Sequence, residues 1–428
     1  MHIIFVKEKK TMTAQEFLSK AKSLQEELIT HRRYIHTHPG VGFDLQETYQ
    51  YVFDQLVTMG YTPTSYGKCG LIAACGNANK GKTILLRADM DALPIQEEAD
   101  IEFKSTNGSM HACGHDTHTA MLLGAARILK EIESDLNGQV ILLFQPSEET
   151  FEGAKDMIDA GVLKDTQPDA ALMIHITAGM PFETGSVIVC DGGVSAPAAD
   201  YFEIHIQGKG CHGSMPQMGI DPITVASHII LALQEIHGRE LSMSDEAVLT
   251  IGTIHAGNAA NAIPDTATMG GTIRTYDEET RAYLKTRMEE IITGIATTFR
   301  ATATLTFTSG CPTLMNDANL SKDVSRYAKD LLGPQMAFSK GDLEAMASAQ
   351  TGTSANGRKA AKATGSEDFA YFSQEVPSIM LALAGGKASD GYIYPQHHPK
   401  VLFDETALSY GASVYAWSAM KWLAEHTN

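Results

Sequence analysis

Four separated stretches of the chain carry side chains that bind metal ions. In Met110-His111-Ala112-Cys113-Gly114-His115-Asp116-Thr117-His118, a thiol and an imidazole stand two residues apart. On a loop they can converge on one cation, and Gly114 lets the backbone bend between them. Gln145-Pro146-Ser147-Glu148-Glu149 ends in adjacent carboxylates. In extended chain these point opposite ways, so one can hold metal while its neighbour faces a water. His175 and the pair His397-His398 add imidazoles. Asp89 and Asp91 could orient ligating imidazoles as hydrogen-bond acceptors. Thiolate, imidazole and carboxylate form a borderline-soft set that suits zinc, with manganese, cobalt or nickel as alternatives. A water beside such a centre becomes a nucleophile, and a spare carboxylate can take its proton.

Each piece also has a plainer reading. A lone histidine at a strand end is commonly a satisfied core or surface residue, and adjacent glutamates are commonly solvated. Cys113 among three histidines is harder to dismiss, while His111 and His118 read as scaffolding. A Cys–His nucleophile is a rival, but no protease signature accompanies Cys113. Residues 76–83, Gly-Asn-Ala-Asn-Lys-Gly-Lys-Thr, match the phosphate-loop expression letter for letter. That loop works only when a helix follows; here an apolar strand does, and the segment reads as a turn.

These residues need a scaffold. Thr13 and Glu16 form a capping box that opens a helix ending before His38-Pro39-Gly40, and a second helix is expected over 47–59. Residues 71–75, 83–88, 140–144 and 170–174 are near-continuously apolar and read as strands buried on both faces. Helices are expected between them, over 117–129 and 153–160, which gives an α/β unit with a mostly parallel sheet. From about residue 201 the order becomes β-α-β-β-α-β, the ferredoxin-like pattern. The α/β pattern then returns. The expected organisation is a catalytic α/β domain, 13–198 and 311–428, interrupted by an inserted α+β domain, 199–310. Asp89, Glu148 and His175 fall at or just beyond strand ends, where open α/β sheets place their ligands. Residues 340–363 read as a surface loop.

The chain has 428 residues and a formal charge of −18, from 33 Lys+Arg and 51 Asp+Glu. This balance argues against nucleic acid or an anionic membrane as partner. No apolar run approaches the ~20 residues of a membrane span. The N-terminal order, apolar then basic, is the reverse of a secretory signal. The six cysteines are too scattered for a disulfide framework. Together these point to a cytoplasmic protein.

Arg87-Ala88-Asp89-Met90-Asp91-Ala92-Leu93-Pro94, the Met110–Asp116 block, Gln145-Pro146-Ser147-Glu148-Glu149 and Gly365-Ser366-Glu367-Asp368-Phe369 resemble the amidohydrolase family of hippurate hydrolases, bacterial N-acyl-amino-acid deacylases and plant auxin-conjugate hydrolases. These are related to aminoacylase and to co-catalytic zinc carboxypeptidases. The resemblance implies two divalent metal ions, zinc or manganese, with cobalt or nickel as alternatives. Cys113, His115, Glu149, His175 and His397 would hold them, with His398 the near alternative for the last. Glu148 would be the catalytic carboxylate. His212 would bind the amide oxygen, by reaching the neighbouring subunit's site, and Asn261 and Arg274 the substrate carboxylate. The inserted domain would be a lid that dimerises. The substrate would be an N-acyl amino acid; a dipeptidase or aminopeptidase on the same scaffold is the alternative. Residues 340–363 look longer than the connection usual in that family, which could reshape the site entrance.

Overall fold

The computed structural model describes residues 12–339, 341–343 and 365–427. The N-terminal apolar run and most of the expected 340–363 loop lie outside them. An eight-stranded sheet runs in the order Thr64–Tyr66, Gly70–Gly76, Gln139–Gln145, Thr83–Asp89, Ala170–Thr177, Ser378–Ala384, Val187–Val189, Ala337–Ser339. From Gln139–Gln145 to Ser378–Ala384 the neighbours are parallel, and Val187–Val189 pairs parallel with Ala337–Ser339. The remaining pairs are antiparallel, so the fold is mixed α/β with a mostly parallel central sheet. Every residue of Thr83–Asp89 is buried, the apolar Ile84, Leu85, Leu86 and Ala88 together with the charged Arg87 and Asp89. Helices Gln25–Thr37, His115–Glu131 and Ala407–Glu425 cover one face. Gly153–Asp159 and Ala370–Glu375 cover the other.

Three details depart from expectation. The first helix is two, Ala14–Ser23 and Gln25–Thr37, turning at Leu24, whose ψ of 2° leaves the α repeat. The capping box does form, with Thr13 Oγ1 accepting from the Glu16 N–H at 3.2 Å. The bend lets Phe17 pack edge-on against Trp417, 5.3 Å between centroids, while the next helix lies along His115–Glu131. Second, that latter helix starts two residues earlier than expected, because Gly114 at φ +93° caps it. A Cβ there would sit 2.5 Å from Ile176 Cγ2, so glycine alone fits, and His115 enters the first helical turn. Third, the short strands Thr64–Tyr66, Val187–Val189 and Ala337–Ser339 have too few residues to show a period. Residues 76–83 hold one short 3₁₀ turn, Ala78–Lys80, and lead straight into strand Thr83–Asp89 with no helix after them, as the turn reading requires.

The inserted unit is a four-stranded antiparallel sheet in the order Ala247–Ala256, Thr266–Thr275, Ala198–Gln207, Thr302–Cys311. Helices Pro222–Glu235 and Glu278–Thr298 pack on one face. On the other face Tyr201, Glu203 and His205 alternate outward. Its two middle-to-edge strands, Ala198–Gln207 and Thr302–Cys311, are also its two connections to the larger unit. At their root Asp200 is buried and accepts both Nε and Nη2 of Arg281, at 2.7 and 2.8 Å.

Candidate active site

The C-terminal ends of the parallel strands deliver the site. Asp89 closes Thr83–Asp89, the turn after Gln139–Gln145 presents Glu148 and Glu149, and His175 lies in the last turn of Ala170–Thr177. Cys113 and His115 flank the helix start at Gly114. His397 arrives from the C-terminal stretch with φ +65°, its N–H donating to the Ala112 carbonyl at 2.9 Å. That left-handed backbone is sparsely populated for a side-chain-bearing residue.

Five donors converge. Ligand atoms of Cys113, His115 and His175 lie within 4.8 Å of one another, as do those of Cys113, Glu149 and His397, and those of His115, Glu148 and Glu149. The Cys113 Sγ is 3.5 Å from His175 Nε2, and His397 Nε2 is 3.6 Å from Glu149 Oε1. His398 turns elsewhere: it stacks on Tyr394, and its Nδ1 accepts from the Lys400 N–H. The inward imidazole of the pair is therefore that of His397.

The imidazoles are held from behind. His115 Nδ1 donates to the Asp91 carbonyl at 2.9 Å, and His175 Nδ1 to the Ile176 carbonyl at 2.7 Å. Each Nε2 lone pair then faces the cluster. The Asp91 carboxylate takes the backbone N–H groups of Glu148 and Glu149, at 3.0 and 3.2 Å, and so fixes the turn that bears them. Asp89 differs from expectation. The imidazole it holds is that of His118, 2.6 Å away, whose Nε2 accepts the Ile176 N–H. Its other oxygen lies 3.7 Å from His115 Nε2, on the ligand side.

The cluster fits divalent cations. The Nε2 of His115 and the Oε1 of Glu149 are buried without a hydrogen-bond partner, which costs free energy unless something fills the gap. Burial, with Glu149 beside it, pushes the Cys113 thiol up to about 12, and burial lifts Glu149 to about 7. A dication between them would reverse both shifts. Burial, with His118 beside it, lowers His175 to about 3, so its imidazole stays in the neutral ligating form.

Behind Glu148 lies a charged group that the sequence reading left out of the site. Arg87 is fully buried and reaches Asp89 at 2.6 Å and Glu367 and Asp368 at 2.9 Å each. Gln145 links Arg87 to Asp368. Glu148 completes a carboxylate triad with Glu367 and Asp368. Burial, then Glu367 and Glu149, push Glu148 well above the usual carboxylate range. The Glu367-Asp368 pair stood in a quoted block, but nothing in the sequence tied it to Arg87.

A second buried group locks helix Gln25–Thr37 to the first turn of His115–Glu131. Asp116 Oδ2 accepts from Arg32 Nε and His36 Nδ1, at 3.0 and 2.9 Å, and His36 Nε2 lies 3.2 Å from Glu97. Burial opposes the charge on His36, but Asp116 and Glu97 outweigh it and raise the imidazole to about 9. A raised folded pKa stabilises fully below the unfolded value near 6.5 and is lost as pH climbs through about 9. The stability margin of wild type over His36→Gln, from urea unfolding, should therefore shrink by about 3 kcal/mol between those limits.

His212, Asn261 and Arg274 stand apart. His212 and the Asn261 segment are neighbours, with Ala262 pairing to His212 and the Gly213 N–H bonded to the Asn261 carbonyl. His212 and Asn261 are exposed. Arg274 Nη2 lies 3.5 Å from the Tyr201 hydroxyl, and its Nη1 has no partner. Among the described residues no hydrogen bond or ion pair joins these three to the Cys113 cluster.

Fold and cluster together describe an α/β protein with a group of candidate metal ligands at the C-terminal edge of its sheet. The chain belongs to peptidase family M20/M25/M40, whose profile matches residues 85–421. It is 36% identical over 416 residues to IAA-amino acid hydrolase ILR1-like 2 of Arabidopsis thaliana, covering 95% of this chain and 88% of that one. It is 36% identical over 410 residues to the N-acetyl-L-cysteine deacetylase of Bacillus subtilis, covering 94% and 89%. A Bacillus subtilis crystal structure described as a dinuclear metal-binding peptidase of the M20 family superposes with TM-score 0.73 at 31% identity, covering 94% and 99%. No helix among the described residues is long and apolar enough to cross a membrane.

Proposed function

We propose that the chain hydrolyses the amide bond of N-acyl amino acids, releasing a carboxylic acid and an amino acid. The observation that carries this reading is Glu148. It is a buried carboxyl beside five converging donors, 3.8 Å from His115 Nε2 and close to the carboxylates of Glu149, Glu367 and Asp368. A metal store needs no such spare carboxylate.

Cys113, His115, Glu149, His175 and His397 would hold two divalent cations, zinc or manganese by donor type. Bound there, such cations supply Lewis-acid chemistry, acidifying a water toward a pKa of about 7 and polarising a carbonyl. Glu148 accepts the proton of the attacking water and returns it to the leaving nitrogen. Cations held beside it would favour the ionised carboxylate, the form that can accept the proton. Asp91 keeps that carboxyl aimed by holding its backbone N–H. His212 would stabilise the developing oxyanion, and because it is exposed here, it would do so in a closed arrangement or on a second copy's site. Arg274, with an unpaired Nη1, would take the substrate carboxylate together with Asn261.

Two relatives of this chain, an IAA-amino acid hydrolase and an N-acetyl-L-cysteine deacetylase, support this substrate class. The test is a panel of N-acetyl, N-benzoyl and indole-acetyl amino acids and unblocked dipeptides, each with Zn²⁺, Mn²⁺ or Co²⁺. We expect turnover of the N-acyl compounds, lost on chelation and restored by one of the ions. Faster turnover of unblocked dipeptides would replace the reading with a dipeptidase.

A further inference from the structure

The turn over residues 147–153 that presents both carboxylates is an improbable one. Ser147 and Phe151 have φ of 57° and 58°, the left-handed region that side-chain-bearing residues avoid. Such backbone persists only where its surroundings over-determine it. Some supports are local. Ser147 and Thr150 share a hydroxyl–hydroxyl bond of 2.6 Å, and Asp91 holds the two glutamate N–H groups.

Two more supports come from the inserted unit. The Ser309 hydroxyl donates to the Thr150 carbonyl, one residue after Glu149. Ser309 lies on crossover strand Thr302–Cys311, where the register with Ala198–Gln207 slips between Phe307 and Ser309. A bulge of this kind re-aims a side chain, and here it aims Ser309 off the sheet and at the turn. On the other crossover strand, the Tyr201 ring packs on the Phe151 ring, 6.2 Å between centroids. Each connection between the two units thus touches the turn, at consecutive residues.

We propose that Ser309 is a positioning residue: from the inserted unit it holds the Thr150 carbonyl and so sets where Glu148 and Glu149 stand. This rests on the hydrolase reading above. The inserted unit is then part of the site's alignment as well as a cover for it, because any rotation about its two connecting strands pulls on the carboxylate turn.

The test compares Ser309→Ala, Ser309→Thr and Tyr371→Phe at saturating metal. Tyr371 donates to the Gly310 carbonyl at 2.7 Å, one residue from Ser309, and among the described residues its hydroxyl makes no hydrogen bond to residues 147–153. Ser309→Ala should lower kcat about tenfold or more with KM within about twofold, since a 1 Å misplacement can cost 10²-fold. Metal content and melting temperature should hold, Ser309→Thr should recover most of the rate, and Tyr371→Phe should stay near wild type. A Ser309→Ala kcat within about twofold of wild type, an equal loss in Tyr371→Phe, or no recovery with Thr would each overturn the proposal. Hydrogen exchange over residues 145–153 decides the same point without turnover. Protection should fall in Ser309→Ala and not in Tyr371→Phe, and unchanged protection in Ser309→Ala overturns it. A wild-type enzyme that cleaves no N-acyl amino acid sinks the substrate reading alone, and the exchange result still stands.

Discussion

Glu148→Gln should abolish hydrolysis, with kcat down about 10²–10⁴-fold, while bound metal stays at the wild-type ratio. Glutamine keeps the size and the backbone N–H that Asp91 holds, but it cannot accept the proton. Glu148 is also pressed against Glu367 and Asp368, so the neutral amide relieves repulsion among buried acids. Its thermal midpoint should equal or exceed that of wild type, which separates lost chemistry from lost fold. Metal analysis by mass spectrometry, a melt and a progress curve on one preparation check all three. Normal turnover in Glu148→Gln would remove this residue from the mechanism.

Arg87→Met should be among the most destabilising single changes, by about 3–5 kcal/mol. The methionine fills similar space but leaves Asp89, Glu367 and Asp368 facing one another without a cation, in a site where Arg87 itself is 0% exposed. Burial opposes charge on the guanidinium, yet these three acids hold it above its ordinary value, so its loss is felt at every pH where they are ionised. Arg87→Lys should recover little, because one ammonium cannot serve three carboxylates in a fork. Urea unfolding at neutral pH checks this. A loss below about 1 kcal/mol would show that the acids satisfy one another by sharing protons.

Much of this was legible from the chain. Near-continuous apolar runs at 83–88, 140–144 and 170–174 marked central strands, because burial on both faces removes the polar alternation that would blur them. The Cys113–His115 spacing, the Glu148-Glu149 pair and His175 marked a shared site because each sits where a strand or loop ends. The sequence left open which of His397 and His398 turns inward. That choice depends on a left-handed backbone at His397 and on stacking of His398 against Tyr394, and neither leaves a trace in spacing. Arg87 was unreadable as an anchor because its partners Glu367 and Asp368 lie 280 and 281 positions away. Asp89 pointed to an imidazole, but only packing could say that the imidazole is His118. Ser309 carried no signal of its own, since a bulge is invisible until two strands are paired.

The order in which the strands are made has a consequence for synthesis. Ser378–Ala384 lies inside the sheet, between Ala170–Thr177 and Val187–Val189, yet it follows the sheet's seven other described strands in chain order. A nascent chain that stops short of it exposes two apolar edges that have no partner. It also lacks His397 and, if shorter still, the acids that neutralise Arg87. The inserted unit, contiguous and with its own apolar centre, has every strand and helix it needs by residue 311. The larger unit can complete its sheet only once Ser378–Ala384 is present, and the cluster of candidate metal ligands gains its last member only with His397.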